Sequence, residues 1–143
     1  MAVYVGTSGW QYSSWRETFY PKGLPQSRWL DHYARNFQCV EVNNTFYRLP
    51  EAGTFESWRH NSPDDFIFAL KVSRYLTHIK RLKDPHEPVT MFLDRAQRLG
   101  DKCGPLLVQL PPNFHVDTGR LDACLSEFPR SLRIAVELRH ESW

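Results

Sequence analysis

Six polar residues stand near the ends of otherwise apolar runs: Glu41 and Asn43, Lys71, Gln109, and Glu137 with Arg139. The charged members are two acids and two bases, which is enough for general acid–base work beside a charge-stabilising cation. Four loop residues, Arg48, Thr77, His78 and His140, add to the set. Glu41 and Glu137 could divide the acid and base roles, with their separation deciding how they would act on a glycoside. Lys71 could serve as a Schiff-base amine if burial and neighbouring cations activated it. Glu41, Glu137, His78 and His140 could in principle ligate a divalent ion, but no HExxH-like spacing supports that, and no metal is assigned. Lys71, Arg48 and Arg139 favour a substrate bearing phosphate or carboxylate, whose oxygens match forked cationic donors. Glu41, Lys71 and Glu137 are therefore the catalytic candidates. Asn43, Arg48, His78, Gln109, Arg139 and His140 are candidates for substrate binding. No cofactor is identified.

The elements that must position these residues can be read from periodicity. Five β-branched or apolar runs recur at Val3–Val5, Cys39–Val42, Phe66–Val72, Leu106–Leu110 and Arg133–Leu138. Helical stripes separate them. The first is Leu30, Tyr33, Ala34 and Phe37, with Ser27 as its expected cap, and the second is carried by Phe55 and Trp58 after Thr54. The third runs from Val89 through Phe92, Leu93, Ala96 and Leu99 to Cys103, stopped by Gly104. The fourth is Leu121, Cys124, Leu125 and Phe128, with Asp117 ahead and Pro129 behind. Such alternation predicts parallel βαβ units in one domain spanning 1–143.

An open doubly wound sheet has apolar side chains on both faces of its central strands, because helices cover both. These strands alternate instead. Val40 and Val42 oppose Glu41 and Asn43; Phe68, Leu70 and Val72 oppose Ala69 and Lys71. Leu106, Val108 and Leu110 oppose Leu107 and Gln109, and Ile134, Val136 and Leu138 oppose Ala135, Glu137 and Arg139. Apolar residues facing an outer helical layer, with polar ones facing inward near the C-terminal mouth, predict a TIM-type (β/α)8 barrel of which about five strands are present. The alternative for the polar ring is a self-neutralising network that only fixes register, although burying four charges for that purpose is costly.

Gly6-Thr7-Ser8-Gly9-Trp10 reads as a turn after the first strand whose N–H groups could cradle an anion; it matches neither GxGxxG nor GKS/GKT, so nucleotide binding is not supported. Trp10, Tyr12, Trp15, Phe46 and Tyr47 could form an aromatic wall at the mouth or simply cover the core. Of these, Trp10 and Tyr47 join the substrate-binding candidates.

Composition excludes several classes. A net charge of +2 gives no support for nucleic acid as a partner, since counterion release needs several clustered cations. No apolar run reaches the roughly 20 residues of a membrane span, and the N-terminus carries no secretory pattern. Three cysteines without a CxxC pair fit a reducing compartment, so a cytoplasmic location is expected, while the polar ring points to a small-molecule substrate.

Taken in order, Gly6–Trp10, Phe19-Tyr20-Pro21, Val40–Arg48, Thr77-His78, Gln109–Pro112 and Glu137–Trp143 resemble the YecE-like family, domain of unknown function seventy-two. The resemblance covers the whole chain and implies a TIM-barrel fold without an established reaction. Glu17 departs from it, standing where the pattern has glycine. The resemblance ends at Trp143, after the fifth strand. The expectation is therefore a barrel portion completed by another copy or by a missing C-terminal half, and inactive if left uncompleted. The active form is expected to be a hydrolase or lyase type of enzyme acting on a small anionic or carbohydrate-like molecule, or else a non-catalytic binding module for an anion or nucleic acid.

Overall fold

Period-two alternation sorts the side chains of the three central strands between two environments in the computed structural model, which describes residues 3–143; the fifth strand does not alternate cleanly, and Leu138, expected with its apolar set, is exposed. Five strands, β1 (Gly6–Ser8), β2 (Cys39–Val42), β3 (Ile67–Lys71), β4 (Cys103–Gln109) and β5 (Ile134–Glu137), form one sheet. All neighbours are parallel and the spatial order is the chain order. Each crossover thus adds its strand to the same growing edge, without the reversal that marks a doubly wound sheet. Among the described residues β5 does not pair with β1, so the sheet is open.

The crossovers carry α1 (Trp29–Ala34), α2 (Asn44–Tyr47), α3 (Ala52–His60), α4 (His86–Ala96) and α5 (Thr118–Leu125). Their apolar stripes join one strand face in a single core. Val40, Val42, Phe68, Leu70, Val72, Leu106, Val108 and Leu110 pack there with Leu30, Tyr33, Phe55, Trp58, Val89, Phe92 and Cys124. Residues on the other face, including Glu41, Ala69, Lys71, Leu107, Gln109 and Glu137, are half-buried. Asp117 caps α5, its Oδ1 accepting from the Arg120 N–H at 2.9 Å. The three cysteines are free thiols, and desolvation raises the pKa of each, that of Cys124 to about 11.

Several local expectations need correction. The first strand is Gly6–Ser8, whereas Val3, Tyr4 and Val5 are exposed. Glycine decides the position: a Cβ on Gly6 would lie 2.1 Å from the Cys39 carbonyl oxygen, so only residue 6 can approach β2 so closely. Gly6-Thr7-Ser8 is consequently strand, not an anion-cradling turn, and the Gly9 N–H is taken by the Glu41 carbonyl at 2.8 Å. Ser27 lies in a 3₁₀ turn (Gln26–Arg28) and does not cap α1. The third helical stripe ends at Ala96. A 3₁₀ segment follows, in which Gly100 adopts φ 57°, and Cys103 and Gly104 already belong to β4.

Side chains tie the crossovers to the sheet. The Tyr33 hydroxyl accepts from the Thr7 N–H (2.8 Å) and donates to the Cys39 carbonyl (3.0 Å), pinning α1 to the start of β1 and β2. Lys102 is buried, and its ammonium donates to the carbonyls of Arg59 (2.6 Å) and Ser62 (2.7 Å), closing the C-terminal end of α3. Removing the ammonium leaves those part-buried acceptors without their donor. Lys102→Met should therefore lower the unfolding free energy by about 2–3 kcal/mol in chemical denaturation; an unchanged midpoint would show that water replaces the ammonium.

Glu17 adopts φ 63°, a left-handed conformation disfavoured by about 1–2 kcal/mol for a residue with a Cβ. The resemblance has glycine at this position, which relieves the clash. Glu17→Gly should raise stability by up to about 1 kcal/mol, because the strain removed exceeds the chain entropy glycine adds to the unfolded state. Destabilisation in the same measurement would mean that the Glu17 side chain holds this loop.

Candidate functional site

The C-terminal ends of the strands bring the polar residues onto the half-buried face in three adjoining groups. On β1 and β2, Glu41 accepts from the Ser8 hydroxyl at 3.1 Å, and the Asn43 amide donates to the Ser8 oxygen. Register sets this up, because Ser8 and Glu41 are direct cross-strand partners. Glu41 forms no ion pair among the described residues, so its carboxylate is open to a ligand.

At the end of β3 the Lys71 ammonium lies 4.5 Å from the centroid of the Phe46 ring, a cation–π contact. The His78 ring meets Phe46 edge-on at 5.0 Å. Thr45 sets up the arrangement: its buried hydroxyl lies 2.6 Å from the Lys71 carbonyl and 3.0 Å from that of Val42, fixing the short helix α2 against both strand ends. No carboxylate pairs with Lys71 among the described residues.

On β4 and β5 the Gln109 amide donates to Glu137 at 2.9 Å, and the Arg139 guanidinium lies 3.6 Å from the other Glu137 oxygen. Gln109 and Glu137 are register partners, as Ser8 and Glu41 are. Glu41 and Glu137 stand three strand spacings apart, about 14 Å along the sheet. They flank a shared surface and do not form a single dyad.

His78 sits in a π-helical turn (Tyr75–Ile79), with Nδ1 2.8 Å from the Thr77 hydroxyl. Burial lowers its pKa, and the positive charges of Arg74, Lys71, Arg139 and Arg81 add to the effect. Arg74 directly precedes the turn, Lys71 ends β3, Arg139 follows β5, and Arg81 lies in the loop after the turn. In that loop Arg81, Leu82 and Asp84 all have positive φ, a strained path of the kind that persists only where surroundings over-determine it. The loop is held by the Arg81 guanidinium, which donates to the Asn113 side chain (3.0 Å) and carbonyl (2.9 Å), and by the buried Leu82.

The remaining candidates go elsewhere. Trp10 is 3% exposed and packs edge-on against Trp58 at 5.5 Å, so it belongs to the core. Phe46 is buried too, while Tyr12 and Tyr47 are exposed. Arg48 and Tyr47 line a groove with Pro50, Thr54 and Trp58, over the residues that enter α3. The His140 ring lies tilted against His115 with centroids 3.9 Å apart, its Nδ1 accepting from the Ser142 N–H at 3.1 Å. Ser8 joins the site although its neighbours Gly6–Trp10 have the composition of a turn; a strand three residues beyond Val3–Val5 is what puts Ser8 beside Glu41. Among the described residues no group of three or more His, Cys, Asp or Glu is placed to hold a metal ion. No helix there is long and apolar enough to cross a membrane.

The fold and site define a singly wound parallel α/β protein with a polar face at the C-terminal strand ends. The chain belongs to the family described as protein of unknown function DUF72, whose model matches residues 4–143. It is 32% identical over 139 residues to the UPF0759 protein YecE of Escherichia coli K12, covering 96% of this chain and 48% of that one. The UPF0759 protein YunF of Bacillus subtilis is 25% identical over 150 residues, covering 99% of this chain and 52% of the relative. A crystal structure of a DUF72 family protein from Thermotoga maritima superposes with a TM-score of 0.82 at 32% identity, covering 98% of this chain and 56% of the other. One from Enterococcus faecalis gives 0.71 at 27% identity, with 80% and 49% covered. The chain thus spans about half the length of the curated relatives it matches.

Protonation of His78 supplies a direct check on this geometry. Its folded pKa lies below the ordinary imidazole value of about 6.5, so the unfolded chain takes up the proton first as pH falls. The stability linked to His78 is present above about pH 6.5 and is lost as pH drops through the lowered folded value. An NMR titration should place the His78 midpoint below 6.5, and Lys71→Ala or Arg139→Gln should move it upward. An ordinary midpoint that neither variant shifts would mean that the cations do not converge on His78.

Proposed function

We propose that the polar face is the substrate face of a TIM-type (β/α)8 barrel protein, to which this chain contributes five strands. On this reading the strands that close the barrel come from a C-terminal half or from another copy. The reading rests on one observation: Glu41, Lys71, Gln109 and Glu137 share the half-buried face opposite the helix-packed core, all toward the C-terminal strand ends, where barrel enzymes keep their chemistry. The activity is hydrolase- or lyase-type acid–base catalysis on a small anionic or carbohydrate-like molecule. Glu41 and Glu137 serve as proton-transferring groups at separate points of the face, and Lys71 stabilises developing negative charge. Three unpaired thiols favour a cytoplasmic setting.

The convergence of cations on His78 favours one second reading, in which the face binds an anion without transforming it. A substrate-library screen on the chain, alone and joined to a completing half, separates the two. The enzyme reading expects turnover that falls by roughly 10²–10⁴-fold in Glu41→Gln and Glu137→Gln, with Lys71→Ala also impaired. Binding retained in all three variants, with no turnover in any form, would leave the binding reading in place.

A further inference from the structure

The polar face is electrostatically divided. On its β3–β5 side the positive charges of Lys71, Arg74 and Arg139 all bear on His78. Among the described residues Glu137 is the carboxylate paired there, and it is shared between Gln109 and Arg139. Lys71 and Arg74 have no carboxylate partner among the described residues, and Phe46 holds Lys71 and His78 side by side. The β1–β2 side holds Ser8, Glu41 and Asn43, bonded to one another, with the Glu41 charge unpaired among the described residues.

From this division we infer that the ligand is a small phosphorylated sugar or polyol, its phosphate held by Lys71, His78 and Arg139 and its hydroxyls by Ser8, Glu41 and Asn43. The inference rests on the proposed substrate face and specifies its substrate class. A phosphate monoester brings about two negative charges and three terminal oxygens. Donors arriving from β3, the π-helical turn and the end of β5 can reach separate oxygens, which a two-oxygen carboxylate does not offer. Hydroxyls both donate and accept, so they pair with the Glu41 carboxylate as acceptor and the Asn43 amide as donor or acceptor. Orientation follows from repulsion as much as attraction, because a phosphate turned toward β2 would meet the Glu41 charge. A phosphate seated beside His78 stabilises the imidazolium and raises its pKa against the surrounding cations.

Titrating the chain with ribose, inorganic phosphate and ribose 5-phosphate, read by NMR at the backbone amides and at the His78 ring, tests the inference. Ribose 5-phosphate should bind at least tenfold more tightly than either of the other two and move the His78 midpoint upward. Lys71→Ala, Arg139→Ala and the exposed Arg74→Ala should each weaken it severalfold or more. Ser8→Ala or Asn43→Ala should weaken ribose 5-phosphate and leave inorganic phosphate unchanged. Ribose binding as tightly as ribose 5-phosphate would overturn the inference while keeping the substrate face. Phosphate binding indifferent to Lys71, Arg74 and Arg139 would also overturn it, as would an unmoved His78 midpoint. Silence of the Ser8, Glu41 and Asn43 amides to all three probes would remove both the inference and the substrate face.

Discussion

The arrangement of this chain depends on one constraint: a parallel strand with a single helix-covered face must send alternate side chains away from that cover. Val40, Val42, Phe68, Leu70, Leu106 and Val108 satisfy the helices. Once they do, the backbone leaves Glu41, Lys71 and Gln109 no direction but the other face. Burying these apolar side chains is each worth about 1.5–3 kcal/mol, far more than any single polar contact at the strand ends. Packing therefore places the polar residues, and their mutual hydrogen bonds only refine the positions.

Register converts that shared face into particular neighbours. Ser8 opposes Glu41, and Gln109 opposes Glu137, so each acid acquires a neutral hydrogen-bonding partner from the adjacent strand. Lys71 has a different kind of partner. A buried threonine at the start of α2 fixes Phe46 beside it, leaving the ammonium on an aromatic surface without a neutralising carboxylate. Arrays of this sort are costly as pure structure, because cations brought together without carboxylates repel one another. Their occurrence at strand ends, beside a strained loop and a π-helical turn, is the pattern associated with ligand binding.

Alternation in β2, β3 and β4 was legible because hydrophobicity with a period of two has a single physical meaning when one face is covered; at the edge strand β5 no such cover sorts the residues, and Leu138 is exposed. Chain-order pairing followed from regular strand–helix recurrence. Local geometry was less legible. Val3–Val5 has strong β propensity, but a close approach to Cys39 that only Gly6 permits decides where β1 begins. The stripe from Val89 to Cys103 keeps helical period past the helix end, because the 3₁₀ turn and Gly100 that break it leave the apolar spacing intact. Arg48, Tyr47, Trp10 and His140 lie in loops or at element ends. Sequence spacing there does not determine side-chain direction, and the first three turn to a groove or the core while His140 turns to His115.

Glu41, Lys71 and Gln109 face solvent or ligand space while their immediate neighbours face helices. Thiol accessibility reads this residue by residue. Single Glu41→Cys, Lys71→Cys and Gln109→Cys variants, and the paired Val40→Cys, Leu70→Cys and Val108→Cys variants, would be treated with a maleimide under native conditions. Peptide mapping then separates each new thiol from the native Cys39, Cys103 and Cys124. The account predicts rapid labelling at 41, 71 and 109 and strong protection at 40, 70 and 108. The reverse pattern, or equal rates at both sets of positions, would contradict it.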